Sequence, residues 1–190
     1  MSIIICPGIH EPKLTENFTS SLSALFTDTS TSKNSVDILI YPTVGYSSLS
    51  AFHILQFLSD RLGNEQKAPV MFISFSAGVV GAIAAASLWQ ILGGYVKAFI
   101  AIDGWGVPLV GNFPIHRMSH DYFTHWSSKI LGCGHNNFYA DPPVEHLDMW
   151  RSPQTVQGWW VDLSVGESQL PKRLSAIEFL YMLFMRYEEN

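Results

Sequence analysis

Charge is scarce in this 190-residue chain: Asp, Glu, Lys and Arg make up 14% of it, and 11 basic residues face 16 acidic ones for a net charge of −5. No stripe of Lys and Arg is present, which excludes a partner held mainly through its phosphate backbone, nucleic acid above all. Cysteine is equally sparse. Cys6 and Cys133 are too few for a disulfide framework and read as free thiols in a reducing compartment. No uninterrupted apolar run approaches the roughly 18 to 20 residues that span a bilayer. The apolar run near the N-terminus, Ile3-Ile4-Ile5-Cys6, is too short for a signal peptide and has no basic residues before it. The protein is therefore expected to be cytoplasmic, without a transmembrane segment. Repeats, low-complexity tracts and linkers are also missing, which leaves one domain over residues 1–190.

What is present is apolar: 47% of the residues are hydrophobic, enough for a large core without metal or disulfide support. Ile3 to Cys6 reads as a buried strand, followed by a helix capped at Thr15 with Phe18, Leu22, Leu25 and Phe26 on one face. A polar loop over Thr27 to Ser35 leads to a strand at Val36 to Tyr41. A helix capped by Ser47 or Ser48 then carries Leu49, Phe52, Leu55, Leu58 and Leu62, and Gly63-Asn64 stops it. Val70 to Phe75 is a further strand, Ala77 to about Leu92 a helix apolar nearly all round, and Tyr95 to Ile102 a strand. This alternation implies an α/β fold with a mostly parallel central sheet and helices on both faces. Gly104 to Pro114 reads as a loop over the carboxyl edge of that sheet, where ligands bind in open α/β folds. Short strands are expected at Phe113 to Ser119 and Asn137 to Ala140. A helix capped by Ser152-Pro153 should contain Val156, Trp159 and Trp160, and after Gly166 another should run from Pro171 to Tyr187.

Chemistry concentrates where the strand ending at Phe75 meets the apolar helix. In Ser74-Phe75-Ser76-Ala77-Gly78 the serine stands on a sharp strand-to-helix turn with small neighbours, a geometry that lifts its hydroxyl clear of the sheet. A serine hydroxyl becomes a nucleophile only with an imidazole to take its proton and a carboxylate to orient that imidazole. The plainer reading of Ser76 is a serine capping the helix that follows.

This elbow, set among alternating strands and helices, resembles the α/β-hydrolase superfamily in the compact form of small lipases and esterases. The likeness covers most of residues 2 to 165, with Ser74 standing where the family usually has its first elbow glycine and no inserted lid domain. It implies a serine hydrolase that cleaves a carboxylic ester or thioester through an acyl-enzyme on Ser76, with no cofactor and no metal. The family's order of nucleophile, acid and histidine places His146 as the base and Asp121 as the acid. Asp103 is the alternative: it ends a clearer strand, but one strand earlier than the family's usual acid. The oxyanion donors implied are the amides of Ala77 and of Ile9 in the loop Pro7-Gly8-Ile9-His10.

Substrate contacts are expected from His10, Trp105 and Tyr122, with Phe123 and Trp126 as further pocket aromatics, although aromatics beside a sheet more often belong to the core. Asp103, if not the acid, is placed to hold His146, His120 or a loop amide. His116-x-x-x-His120 beside Asp121 has metal-site spacing only on a helix, which Pro114 and Ile115 disfavour. The last helix has more apolar residues than one buried face needs. Packing within the chain is the simplest account, with a homodimer or a membrane surface as the other candidates. Two alternatives to the hydrolase remain open: an acyltransferase using the same residues, and a non-catalytic binding or scaffold domain of the same fold.

Overall fold

The computed structural model describes residues 1–27, 36–43, 45–63, 68–162 and 171–188. The expected loop from residue 28 to Ser35, and the breaks at Asn64 and Gly166, lie outside them. The described residues form one sheet of eight strands, ordered β2-β1-β3-β4-β5-β6-β7-β8. These strands are β1 (Ser2–Cys6), β2 (Asp37–Ile40), β3 (Pro69–Phe75), β4 (Tyr95–Ile102), β5 (Ile115–Ser119), β6 (Asn136–Ala140), β7 (Gln157–Asp162) and β8 (Lys172–Ser175). All pairings from β2 across to β6 are parallel, and β7 and β8 add on antiparallel.

Two apolar layers flank the sheet, which explains why its central strands are apolar at every position rather than at alternate ones. Ile3 and Ile5 of β1, Met71, Ile73 and Phe75 of β3, and Ile100 and Ile102 of β4 face one layer. That layer is closed by α1 (Pro12–Thr27), α5 (Asp148–Arg151) and α6 (Ala176–Glu188) through Phe18, Leu22, Trp150, Phe179 and Leu183. Ile4, Cys6, Val70, Phe72 and Phe99 face the other layer, closed by Ile54 and Leu58 of α2 (Ala51–Leu62) and by Val79, Ala82 and Trp89 of α3 (Gly78–Ile91). Burial pushes the Cys6 thiol far above its ordinary pKa, so it is an inert core residue. A short helix, α4 (Tyr122–Ser128), follows β5.

The N-terminal half matches the expected order, with shifted helix starts. α1 begins at Pro12 rather than after Thr15, because proline is suited to the first helical position. α2 is capped by Ser50, whose side chain accepts from the His53 amide, and not by Ser47 or Ser48, which lie in a 3-10 turn over Gly45–Leu49. Among the described residues no helix is long and apolar enough to cross a membrane.

The C-terminal part departs further. The stretch read as a helix with Val156, Trp159 and Trp160 is β7, paired with β6 from Asn136↔Asp162 to Ala140↔Gly158. Spacing that suits a helix face lost here to β-favouring side chains and to an otherwise open sheet edge. The indole N–H groups of both tryptophans are satisfied: Trp159 donates to Asp141 Oδ2 at 2.7 Å and Trp160 to Asn136 Oδ1 at 2.9 Å. Likewise, the final helix does not begin at Pro171. Residues Lys172–Ser175 form β8, and α6 starts after Ser175.

That start is a capping box. The Ser175 amide and hydroxyl donate to Glu178 Oε2 at 2.6 and 2.8 Å, and the Glu178 amide donates back to Ser175 Oγ at 3.3 Å. The excess apolar residues of α6 are accounted for within the chain: Ile177, Phe179, Leu180, Leu183 and Phe184 are buried in the core. They are therefore not a surface for a second copy or a membrane. Lys97 Nζ, from β4, donates to the Tyr187 carbonyl and fastens the far end of the helix.

Replacing Ser175 by Ala should cost about 1 kcal/mol of stability, measured as a lowered urea midpoint at unchanged m-value. The exposed Ser20→Ala change in α1 should leave the midpoint in place.

Candidate functional site

The order β2-β1-β3-β4-β5 reverses direction between β1 and β3, and in open parallel sheets the crevice at such a reversal lies beyond the carboxyl ends of the strands. The loop after β1, the turn after β3 and the end of β4 all meet there.

The turn after β3 is tight. Ser76 has φ of +51°, a left-handed conformation that costs a non-glycine residue roughly 1 to 3 kcal/mol. Its backbone is held on both sides: its N–H donates to the Ile102 carbonyl at 2.9 Å, and its carbonyl accepts from Val79 N–H at 3.1 Å. The β1 loop presses directly on this turn. A Cβ on Gly78 would fall 2.3 Å from the Pro7 carbonyl oxygen, and one on Gly8 would fall 2.9 Å from Ser76 Cβ, so both positions require glycine. Ser74 is fully buried in β3 and donates its hydroxyl to the Ile100 carbonyl at 3.2 Å. Its small side chain is thus absorbed by the neighbouring strand.

β4 ends in a second left-handed residue, Asp103, with φ of +52°. Its N–H donates to the Met118 carbonyl at 2.8 Å, and its side chain turns toward His146 and His120. Oδ2 accepts from His146 Nδ1 at 2.9 Å and from His120 Nδ1 at 2.9 Å, while Oδ1 accepts from the His120 backbone N–H at 2.8 Å. The other ring nitrogen of His146, Nε2, lies 3.0 Å from Ser76 Oγ. Because Nδ1 faces a carboxylate, it carries the proton, and Nε2 is left to accept from the serine hydroxyl.

His146 is fixed by ring packing as well. It stacks on Phe75 at 4.7 Å between centroids, Phe75 on Trp150 at 5.0 Å, and Trp150 on Phe18 at 3.7 Å. This column runs from the site into the core. Val144 N–H donates to the His120 carbonyl at 3.1 Å, tying the segment that carries His146 to the end of β5.

Asp121 is elsewhere occupied. Its Oδ1 accepts the Thr124 amide at 2.6 Å as the N-cap of α4, and its Oδ2 comes only within 3.6 Å of His120 Nε2. The carboxylate that faces His146 is that of Asp103. Burial works to raise the Asp103 pKa, but the hydrogen bonds from His120 and His146 and the nearby His120 charge outweigh it and hold the carboxyl below its ordinary value. The hydrogen bond to Asp103 raises the His120 pKa against its partial burial, helped by the charges of Asp103, Asp121 and Glu145.

No family model matches this chain, and no curated protein matches it.

What the site can do therefore follows from its own geometry. Beside Ser76 opens a cavity of about 510 Å³. Ser76, Asp103, His120, Asp121 and His146 form its polar side, and Val80, Trp105, Val107 and Phe123 its apolar wall. Trp105 is part of that wall, its indole N–H donating to Ser127 Oγ at 3.0 Å. Tyr122 and His10 do not line this cavity. Tyr122 packs edge-on against Tyr139 at 5.2 Å, because a helix turns adjacent residues to different sides and Phe123 takes the inward place. His10 lies against Phe75 and Trp150 with Nδ1 on the Glu11 carbonyl. Val80 and Val107 had no signal in the sequence, since their roles depend on how α3 and the loop after β4 face each other. Val107 is held in place by Arg117, which is buried in β5 and donates to the carbonyls of Gly132, Val107 and Leu131 at 2.6, 3.1 and 3.0 Å.

His116 and His120 do not form a pair. They fall on and just after strand β5, and His116 is buried with Nε2 on the Tyr187 hydroxyl at 2.9 Å. Burial there lowers its pKa to about 3. Asp103, His120 and His146 do bring donor atoms within 4.8 Å of one another. Asp103 Oδ2 lies 2.9 Å from Nδ1 of each histidine, a hydrogen-bond length.

Asp103 and His120 also predict a pH dependence of folding. A carboxyl with a depressed folded-state pKa stabilises above its unfolded value, near 3.9, and that contribution is lost as pH falls through the lower folded value. A histidine with a raised folded-state pKa stabilises fully below its unfolded value, near 6.5, and loses that contribution as pH rises through the folded one. The stability that wild type holds over His120→Asn should therefore shrink as pH rises from about 6 to 8.5, read as a narrowing gap between their urea midpoints. His116, buried with its pKa lowered, works in the opposite direction in both proteins and cancels in that comparison.

Proposed function

We propose that this protein is a serine hydrolase of the α/β-hydrolase fold that cleaves a carboxylic ester or thioester. The observation that carries this reading is the relay Ser76 Oγ to His146 Nε2 at 3.0 Å and His146 Nδ1 to Asp103 Oδ2 at 2.9 Å, with the serine at a strained turn and a cavity beside it. In this reading Asp103, not Asp121, is the acid.

The chemistry follows the demands of the residues. As Ser76 Oγ attacks the substrate carbonyl carbon, its proton passes to His146 Nε2, and Asp103 stabilises the imidazolium that forms. The carbonyl oxygen becomes an oxyanion. The amides of Ala77, just after the nucleophile, and of Ile9, beside the Gly8 that packs on Ser76, are the donors assigned to it. His146 then returns the proton to the departing alkoxide or thiolate, and the acyl group stays on Ser76. Water, deprotonated by His146, attacks the ester so formed, and His146 passes that proton to Ser76 Oγ as the C–O bond breaks and the acid is released. An alcohol or amine in place of that water would make the same residues an acyltransferase.

The wall of Val80, Trp105, Val107 and Phe123 suits an uncharged, apolar acyl or aryl group, since each buried CH₂ contributes about 0.8 kcal/mol. A domain of this fold serving only as a binding module would need neither the strained serine nor the relay.

A fluorophosphonate probe should form an adduct on Ser76, located by mass spectrometry, and none in Ser76→Ala. Absence of labelling in folded wild-type protein would return the binding-module reading. Asp103→Asn should slow hydrolysis of an activated aryl ester roughly 10⁴-fold. Asp121→Asn, which keeps a good helix cap, should slow it less than about tenfold. The reverse ranking would restore the acid role to Asp121.

A further inference from the structure

We propose that His120 is a positioning residue for the Asp103 carboxylate and that its charge sets how strongly this carboxylate supports His146. The inference rests on the hydrolase reading above and assigns to it a residue beyond the serine, base and acid.

His120 makes two of the three hydrogen bonds that reach Asp103, one from its backbone N–H to Oδ1 and one from Nδ1 to Oδ2. The second falls on the same oxygen that holds His146. The two imidazoles stand edge to face, 6.1 Å apart between centroids at 85°. The backbone of His120 also receives Val144 N–H at 3.1 Å, so it braces both the carboxylate and the segment carrying the base. A neutral donor such as asparagine would suffice to orient a carboxylate; an imidazole adds a charge that comes and goes.

The groups around His120 decide when. Asp103 at the end of β4, Asp121 at the cap of α4, and Glu145 beside His146 all favour its protonated form, and its side chain keeps 27% exposure to solvent. When His120 is a cation, it shares the charge of Oδ2 and opposes a second cation on His146, which must form as Ser76 loses its proton. When neutral, with the proton on Nδ1, it holds Asp103 without opposing that step. Activity should fall in two stages as pH drops. The upper stage, from His120, is partial and about three- to tenfold, the effect of one like charge at this distance in a partly solvated site. The other stage is loss of the base itself.

The test compares wild type, His120→Asn and His120→Ala in the full chain. The rate of fluorophosphonate labelling at Ser76 is followed from pH 5 to 9, together with imidazole NMR titrations of the same proteins. Wild type should show both stages. His120→Asn, which keeps a neutral donor near the Nδ1 position, should lose the upper one, and above pH 8 it should label about tenfold faster than His120→Ala. Should His120→Ala not fold, the comparison of His120→Asn with wild type decides alone. An upper stage that persists in His120→Asn overturns the proposal, as does equal labelling of the Asn and Ala variants at every pH. If folded wild-type protein is not labelled at all, the hydrolase reading fails, and the NMR titration decides this inference separately. The His146 signals must then shift in a step that coincides with the titration of His120 and disappears in His120→Asn; lack of that step overturns it.

Discussion

One buried oxygen, Oδ2 of Asp103, joins the parts of the site. A carboxylate with 1% of its side chain exposed is costly unless every direction around it offers a proton, because burial otherwise drives it to the neutral acid. Here the protons come from two imidazoles and one backbone amide. Satisfying that charge fixes the orientation of both rings, and the orientation of His146 in turn presents Nε2 to Ser76. The left-handed turn at Asp103 is what lets a residue leaving a central strand face across the crevice rather than continue along the sheet.

The sheet provides the rigidity this arrangement needs. Ser76 and Asp103 leave neighbouring strands whose ladder runs without a shift from Met71↔Ala98 to Phe75↔Ile102. The Ser76 amide then bonds the Ile102 carbonyl and the Asp103 amide bonds the Met118 carbonyl, so the backbone of both turns continues the hydrogen-bonding of the sheet. His146 comes from a loop, where precision is harder to hold. The column from His146 through Phe75 and Trp150 to Phe18 compensates by stacking the ring on the core, and aromatic pairs of this kind add about 0.5 to 1.5 kcal/mol beyond the area they bury.

Low charge and a polar cluster confined to one crevice are two sides of the same design. With both sheet faces buried, ionisable groups are left for surfaces and for the carboxyl edge, where Asp103, His120, Asp121 and His146 gather beside Ser76. Further along β5, His116 and Arg117 show the alternative for a polar group in the interior. His116 loses its charge, and Arg117 keeps its place by donating to three loop carbonyls.

Local pattern carried much of the fold. Continuous apolar runs marked β1, β3 and β4 because a parallel strand buried on both faces admits little else, and Ser76-Ala77-Gly78 marked the turn, where a side chain on Gly78 would collide with Pro7 and one on Gly8 with Ser76. The capping box of Ser175 and Glu178 was also readable, yet the apolar run after Pro171 masked it. β7 was not readable as a strand: Val156, Trp159 and Trp160 suit a helix face by spacing, and only the open edge of β6 selects the extended form. The choice between Asp121 and Asp103 lay beyond any local window. Chain order favoured Asp121, but its position just ahead of α4 commits its oxygen to the Thr124 amide. The pairing of β4 with β5, Ile102 opposite Met118, is what sets Asp103 against His120 and His146. Sequence alone determined which residues had to be buried and where a strained serine would stand, since those depend on side-chain size and polarity within a few positions. Tertiary structure decided which carboxylate meets the histidine, since that depends on the register of strands and loops distant in the chain.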